Sequence, residues 1–296
     1  MTGLILLYHR IAKLTSDPQL LAVTPPHFAQ HLEVLRGCSV AMSLPQMISA
    51  SRDRRLPHRA VAVTFDDGYA DTLECGEPLL ARHDIPATVF VTTSYVGGER
   101  EFWWDELERL LLRPGEFPEW NVECPTDPSS RHREYRDWCQ ALRGVSAEER
   151  RVTLEKLARI SGASSTGRLT HRPVSRERLA RACESALIDV GAHTATHPAL
   201  SARSEAEQRL EIEESKAVVR EITGREPAGF AYPFGGRADY TRTTVALVRE
   251  AGFAFACANI PAVVGPKSDP FQLPRVLVRD WDAGTFAARL REWFGD

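Results

Sequence analysis

A chain of 296 residues is long enough to bury a substantial core, as one large α/β domain or two small ones. Its hydrophobic content of 43% is ordinary for a folded protein, and a net charge of -3 offers no electrostatic case for binding nucleic acid or an anionic membrane. No apolar run approaches the ~20 residues that cross a bilayer and nothing after Met1 resembles a targeting sequence. The six cysteines (Cys38, Cys75, Cys124, Cys139, Cys183, Cys257) form no CxxC pair, so free thiols and a cytoplasmic setting are expected.

The chain opens MTGLILLYHRI, in which Leu4 to Tyr8 suits a buried strand and His9 falls where that strand runs out. In α/β folds ligands bind at that end. PHFAQHLEVLR then reads as helix, AVAVTF from Ala60 as strand, EPLLARH as helix and ATVFVTT from Ala87 as strand. From Gly97 to Thr170 the chain is polar and charged, with turn signals at Arg113-Pro114-Gly115 and Cys124-Pro125. Within it WWDELERLLL, RHREYRDWCQALR and AEERRVTLEKLARI read as helices of an insertion, 97–170, inside a single domain spanning 1–296.

The alternation resumes with strands LIDVGA from Leu187, GFAYPF from Gly229, FAFACA from Phe253 and LPRVLV from Leu273. Between them SEAEQRLEIEESKAVVREITG and TRTTVALVREAG are helix-like. The first carries a capping box in Ser204 and Glu207 and a stop at Gly224. Such alternation predicts an α/β fold, a mainly parallel sheet or barrel with its chemistry at the strand C-termini.

Three stretches carry side chains for that chemistry. VTFDDGYADT places Asp66 and Asp67 at a strand end, with Gly68 permitting a sharp turn. Adjacent carboxylates repel, and successive strand side chains point in opposite directions, so the two are expected to divide the work: one binds a cation and the other stays nearby as a base. An acidic turn that caps a helix explains DDG alone equally well. IDVGAHTATHPALS sets His193 and His197 four apart, but Thr194 stands where a zincin helix has glutamate, and Gly191 and Pro198 flank the pair. A strand end and a loop converging on a metal are therefore expected. Two imidazoles and one carboxylate suit zinc or a similar divalent ion, with positions left for water and substrate. GFAYPFGGRADY provides a rigid turn whose amides can stabilise an oxyanion and whose aromatics can stack on a sugar, or simply a structural turn. Trp103 and Trp104 read first as core, with one available to line a sugar site.

TFDDG, HTATH and AYPFG, in that order and at these separations, resemble the metal-dependent polysaccharide deacetylase family of carbohydrate esterases. The resemblance covers about Thr64 to Gly235, and YHR with LPR resembles the subgroup whose chain begins with a catalytic histidine strand. It implies a distorted barrel of parallel strands with surrounding helices, and hydrolysis of an N-acetyl group on an amino sugar. Carried over by position, Asp66 would be the general base, Asp67, His193 and His197 the ligands of a divalent metal such as zinc, and the Phe234 amide a support for the oxyanion. Many members place their general-acid histidine near the C-terminus, whereas this chain has no histidine after His197. First and last strands are neighbours in a closed barrel, so His9 is the expected acid, protonating the leaving amine.

The family's third motif usually has arginine two residues before its proline, where this chain has Ala231. Arg275, in LPRVLVRDWD, is expected to replace it beside Asp66, and Arg279 to pair with Asp280 or Asp282. The expected partner is an N-acetylated saccharide, nucleotide-linked or lipid-linked, in surface-polysaccharide or glycoconjugate biosynthesis. Cleavage of O-acetyl esters or other small amides on the same scaffold is the first alternative. The second is a catalytically dead carbohydrate-binding protein, whose one supporting feature is Ala231.

Overall fold

An all-apolar strand is stable only where both of its faces are covered, and β1 (Gly3–Tyr8) is buried along its whole length. The structure, a computed structural model, describes residues 1–112, 128–163 and 166–295. After β1 come two short strands, β2 (Arg10–Ile11) and β3 (Ala22–Val23), which pair with each other, then α1 (Pro25–Cys38), β4 (Val40–Ala41) and α2 (Leu44–Arg52). The expected central alternation follows as β5 (Ala60–Phe65), α3 (Glu77–His83) and β6 (Ala87–Val91). Among the described residues that follow, three helices intervene, α4 (Trp103–Leu111), α5 (Pro128–Leu142) and α6 (Ala147–Ser161). The ends of this excursion meet where the Gly97 amide donates to the Val174 carbonyl at 2.9 Å. The chain continues through α7 (Arg176–Ala182), β7 (Ile188–Ala192), α8 (Glu205–Thr223), β8 (Gly229–Ala231), α9 (Arg242–Glu250), β9 (Phe255–Cys257), β10 (Val276–Leu277) and α10 (Ala283–Phe294).

The main sheet runs β10-β1-β5-β6-β7-β8-β9, with β4 also on β5, and every pair is parallel. It curls into a half-barrel with helices around it, the distorted barrel expected of the sequence. Its two ends are joined by one segment. The Leu273 amide donates to Ala256 and the Ala258 amide to Leu273, both at 2.9 Å, and the chain then enters β10, where Val276 lies opposite Leu6 of β1. Arg275 sits in that seam.

Strand alternation divides the core in two. Val61, Val63 and Phe65 of β5 pack outward with the helices, while Ala60 and Ala62 face inward with Ile5, Phe90 and Phe255. Thr64 and Asp66 continue the inward phase. The interior is filled by Phe90 and Phe255, and the neighbouring strands make room with Gly191 and Gly229, where an added Cβ would lie 2.4 Å from one of those rings.

The polar turns at Arg113-Pro114-Gly115 and Cys124-Pro125, and Cys124 itself, lie outside the described residues. The other five cysteines are free. Among the described residues no helix is long and apolar enough to cross a membrane. The packing around Phe90 makes a test of the interior: Gly191→Ala would push a methyl into that ring and against the Gly229 carbonyl, at 2.8 Å. The expected cost is about 1–3 kcal/mol, read from urea unfolding.

Candidate active site

Asp66 directly follows β5 and stays in phase with its inward residues, so its carboxylate enters the barrel mouth beside the seam. Arg275, fully buried, meets it with both ends of the guanidinium: Nη1 donates to Oδ1 at 2.7 Å and Nη2 to Oδ2 at 2.6 Å. Nε donates to the Ala258 carbonyl at 3.1 Å and Nη1 also reaches Thr64 Oγ1 at 3.3 Å, which fixes the fork in place. Burial alone raises the Asp66 carboxyl, but the Arg275 guanidinium, with His193, brings it down to about 2. Asp66 therefore carries its charge throughout the neutral range.

Strict alternation would send Asp67 to the opposite side. Instead its φ of 72° is left-handed, and Gly68 follows at 91°, where a Cβ would come within 2.9 Å of Val91. This turn bends the second carboxylate into the same cavity as the first. The expected opposite directions are corrected by that backbone; different partners separate the pair. Asp66 has arginine, whereas Asp67 Oδ1 lies 3.6 Å from His193 Nε2 and 3.4 Å from His197 Nε2. Burial raises the Asp67 carboxyl against the pull of His9 and His193.

His193 directly follows β7. Its Nδ1 lies 2.7 Å from the Ala231 carbonyl, so that nitrogen carries the proton and Nε2 presents a lone pair to Asp67. His197 comes from the loop beyond. Thr194 and His197 are both left-handed, at φ 65° and 60°, and the His197 amide donates to Thr194 Oγ1 at 3.0 Å. His197 is wedged between Trp104 and Phe234, with ring centroids 4.5 and 4.8 Å away, and its Nδ1 is buried without a hydrogen-bond partner. Burial lowers both imidazoles, His197 to about 3, so both are neutral donors.

These three residues fit a divalent cation. Their donor atoms all lie within 4.8 Å of one another, and a tetrahedral ion with bonds of about 2.0–2.1 Å sets its donors roughly 3.3 Å apart, close to the two spacings to Asp67. Without a cation, Asp67 would be a buried carboxylate facing two neutral imidazole nitrogens with no formal counter-charge. Among the described residues Asp105, Glu108 and His171 also converge, but Tyr69 donates to Asp105 at 2.6 Å and Arg168 to Glu108 at 3.2 Å. Those carboxylates already have their partners.

His9, just past β1, faces the same cavity of about 230 Å³ as Asp66, Asp67, His193 and His197. Its Nδ1 is buried and unpartnered, and burial lowers its pKa despite the nearby Asp67 and Asp66. Phe234 forms another wall from the turn after β8, at φ 61°, with Gly235 seated so closely that a Cβ would meet the Asn259 amide at 2.6 Å. Trp103 and Trp104 are core and wall together: each is 3% exposed, and both border the cavity. Arg279 does not pair with Asp280 or Asp282. It donates to the Gln19 carbonyl at 2.9 Å and to that of Leu20, while Asp280 is taken by Thr24 and His27 and Asp282 caps α10. Asn259 and Gln19 also border the cavity and had no motif to mark them.

The polysaccharide deacetylase family profile matches residues 53–117 and 161–256. The protein YxkH of Bacillus subtilis (strain 168) is 26% identical over 108 residues, 36% of this chain and only 37% of YxkH. Two solved structures share the fold over nearly the whole length: the deacetylase PplD of Streptococcus pyogenes, in complex with acetate (TM-score 0.66, 16% identity, 98% of both chains), and IcaB from Ammonifex degensii (TM-score 0.65, 22% identity, 98% of this chain and 97% of that one). A profile that accounts for more than half of the residues, on a barrel that bears its aspartates and histidines at neighbouring strand ends, makes this chain a member of the polysaccharide deacetylase family.

Proposed function

We propose that the protein is a divalent-metal-dependent hydrolase that removes the N-acetyl group from an amino sugar within a saccharide. The observation that carries this reading is the placement of an arginine-bound carboxylate, a His-His-Asp donor set and an unpaired histidine around one cavity. Asp67, His193 and His197 would hold the ion. When bound it supplies Lewis acidity, polarising the acetyl carbonyl and acidifying water.

The chain's own groups perform the proton transfers. Asp66, held ionised and oriented by Arg275, accepts the proton of the attacking water through the carboxylate edge that faces the cavity. His9, at the end of the neighbouring strand β1, donates a proton to the departing sugar nitrogen. Burial favours its neutral form while the Asp67 and Asp66 carboxylates favour its charged one, so the proton it delivers is one taken up within the reaction cycle. The Phe234 amide, at a backbone turn fixed by Gly235 and Asn259, adds a hydrogen bond where negative charge develops on the acetyl oxygen. The aromatic walls Trp104 and Phe234 keep water from the remaining surface. The Arg275 fork also weakens the case for a binding protein that has lost its chemistry, since Ala231 leaves Asp66 with an arginine after all.

Metal-stripped protein should take up one equivalent of zinc, with affinity reduced at least about 100-fold in His193→Ala and in Asp67→Ala; a titration showing no uptake by the intact protein would remove the metal from the reaction. Asp66→Asn should lose stability, because Arg275 is left without its counter-charge, and should keep zinc binding, yet the folded protein should release acetate and free amine from an N-acetylated oligosaccharide about 10²–10⁴-fold more slowly. A matched O-acetyl sugar hydrolysed in preference would reassign the enzyme as an esterase. Arg275→Ala should leave zinc binding intact, lower kcat and destabilise the fold by about 3–5 kcal/mol through the unpaired Asp66. Unchanged turnover in that variant excludes Arg275 from the mechanism.

A further inference from the structure

Arg150 is an anomaly in its helix. It is 2% exposed, lies on α6 between β6 and β7, and has no carboxylate in ion-pair contact among the described residues. Its guanidinium instead grips the outer side of the loop that carries His197. Nη1 donates to the His197 carbonyl at 3.1 Å, and Nη2 to the Thr196 carbonyl at 2.8 Å and to Thr196 Oγ1 at 3.2 Å. From the other side Glu211 of α8 accepts from the Thr196 amide at 2.8 Å and from its hydroxyl at 2.5 Å. A second arginine, Arg143, lies over the Phe234 ring at 3.9 Å, and that ring packs on His197.

A buried arginine bound to two carbonyls and a hydroxyl has forgone the charged partner that would best offset its desolvation. What it gains is control of geometry. His197 sits at φ 60°, a conformation a non-glycine residue holds only when its surroundings over-determine it, and its two flanking carbonyls are the groups Arg150 fixes. We propose that Arg150 is a positioning residue for the metal centre, so that the helical excursion between β6 and β7 holds His197 in register with Asp67 as well as walling the cavity. The inference rests on the metal-binding reading given above.

Charge and geometry make opposite predictions for its removal. Deleting a positive charge near a cation site tightens cation binding, whereas releasing a ligand's loop weakens it. Arg150→Met keeps the apolar stem and removes the donors. Leu157→Ala takes packing from the same helix and leaves the Arg150 donors in place. Two measurements on metal-stripped full-length protein decide the matter: zinc titration, and amide hydrogen exchange over residues 194–199. Arg150→Met is expected to raise the zinc Kd about 10–100-fold and to speed exchange in that segment at least about tenfold, while Leu157→Ala lowers the unfolding midpoint and leaves both loop readouts within about twofold of wild type. Unchanged or tighter zinc binding in Arg150→Met, unchanged loop exchange, or equal effects from Leu157→Ala would overturn the proposal. Wild-type protein that binds no zinc would refute the metal reading instead, and the exchange measurement would still decide whether Arg150 holds the loop.

Discussion

The site is organised around one buried ion pair, Asp66 with Arg275. A carboxylate withdrawn from water at the mouth of an apolar barrel is costly unless it is fully bonded. Arg275 meets that need with a two-point fork that is itself pinned by the Ala258 carbonyl and Thr64. The pair also ties the seam together, because Arg275 lies between the segment paired to β9 and the strand paired to β1. A single contact thus orients a reactive carboxylate and fastens the two edges of the sheet. With Asp66 committed to arginine, Asp67 is free to turn toward His193 and His197.

That division depends on backbone conformations the residues do not favour. Asp67, Thr194, His197 and Phe234 all have positive φ, and all four border or support the cavity. Each costs of order 1–3 kcal/mol. The surroundings that enforce them are specific: Val91 against Gly68, Thr194 Oγ1 on the His197 amide, Asn259 against Gly235, and Arg150 on the Thr196 and His197 carbonyls. Strain gathered in this way reads as preorganisation of the donors around the cavity.

Much of this was legible in the sequence because the signals were local. Short apolar runs bounded by turns marked every long strand, and the Ser204 capping box with Gly224 marked α8, since each rests on interactions within a few residues. The site histidines and aspartates were legible as motifs for the same reason. The two-residue strands β2, β3 and β4 were not, because two residues show no periodicity, and the helices α2, α7 and α10 were passed over as well. Arg279 was misassigned because nearness in sequence suggested Asp280, while the fold brought the Gln19 and Leu20 carbonyls closer. Arg150 gave no signal at all. On a charged helix it is one arginine among several, and only the packing of that helix on the His197 loop removes it from water.

The Asp66–Arg275 pair also has a consequence in time. Its partners are 209 positions apart in the chain. At a synthesis rate of about 5–20 residues per second, the aspartate emerges roughly 10–40 s before its arginine has been made. During that interval the end of β5 cannot bury its charge, so the barrel mouth stays hydrated while β6, β7 and the intervening helices are added. Closure of the sheet and neutralisation of Asp66 are then one late event, which delays the appearance of a dry reaction cavity until the last strand has arrived.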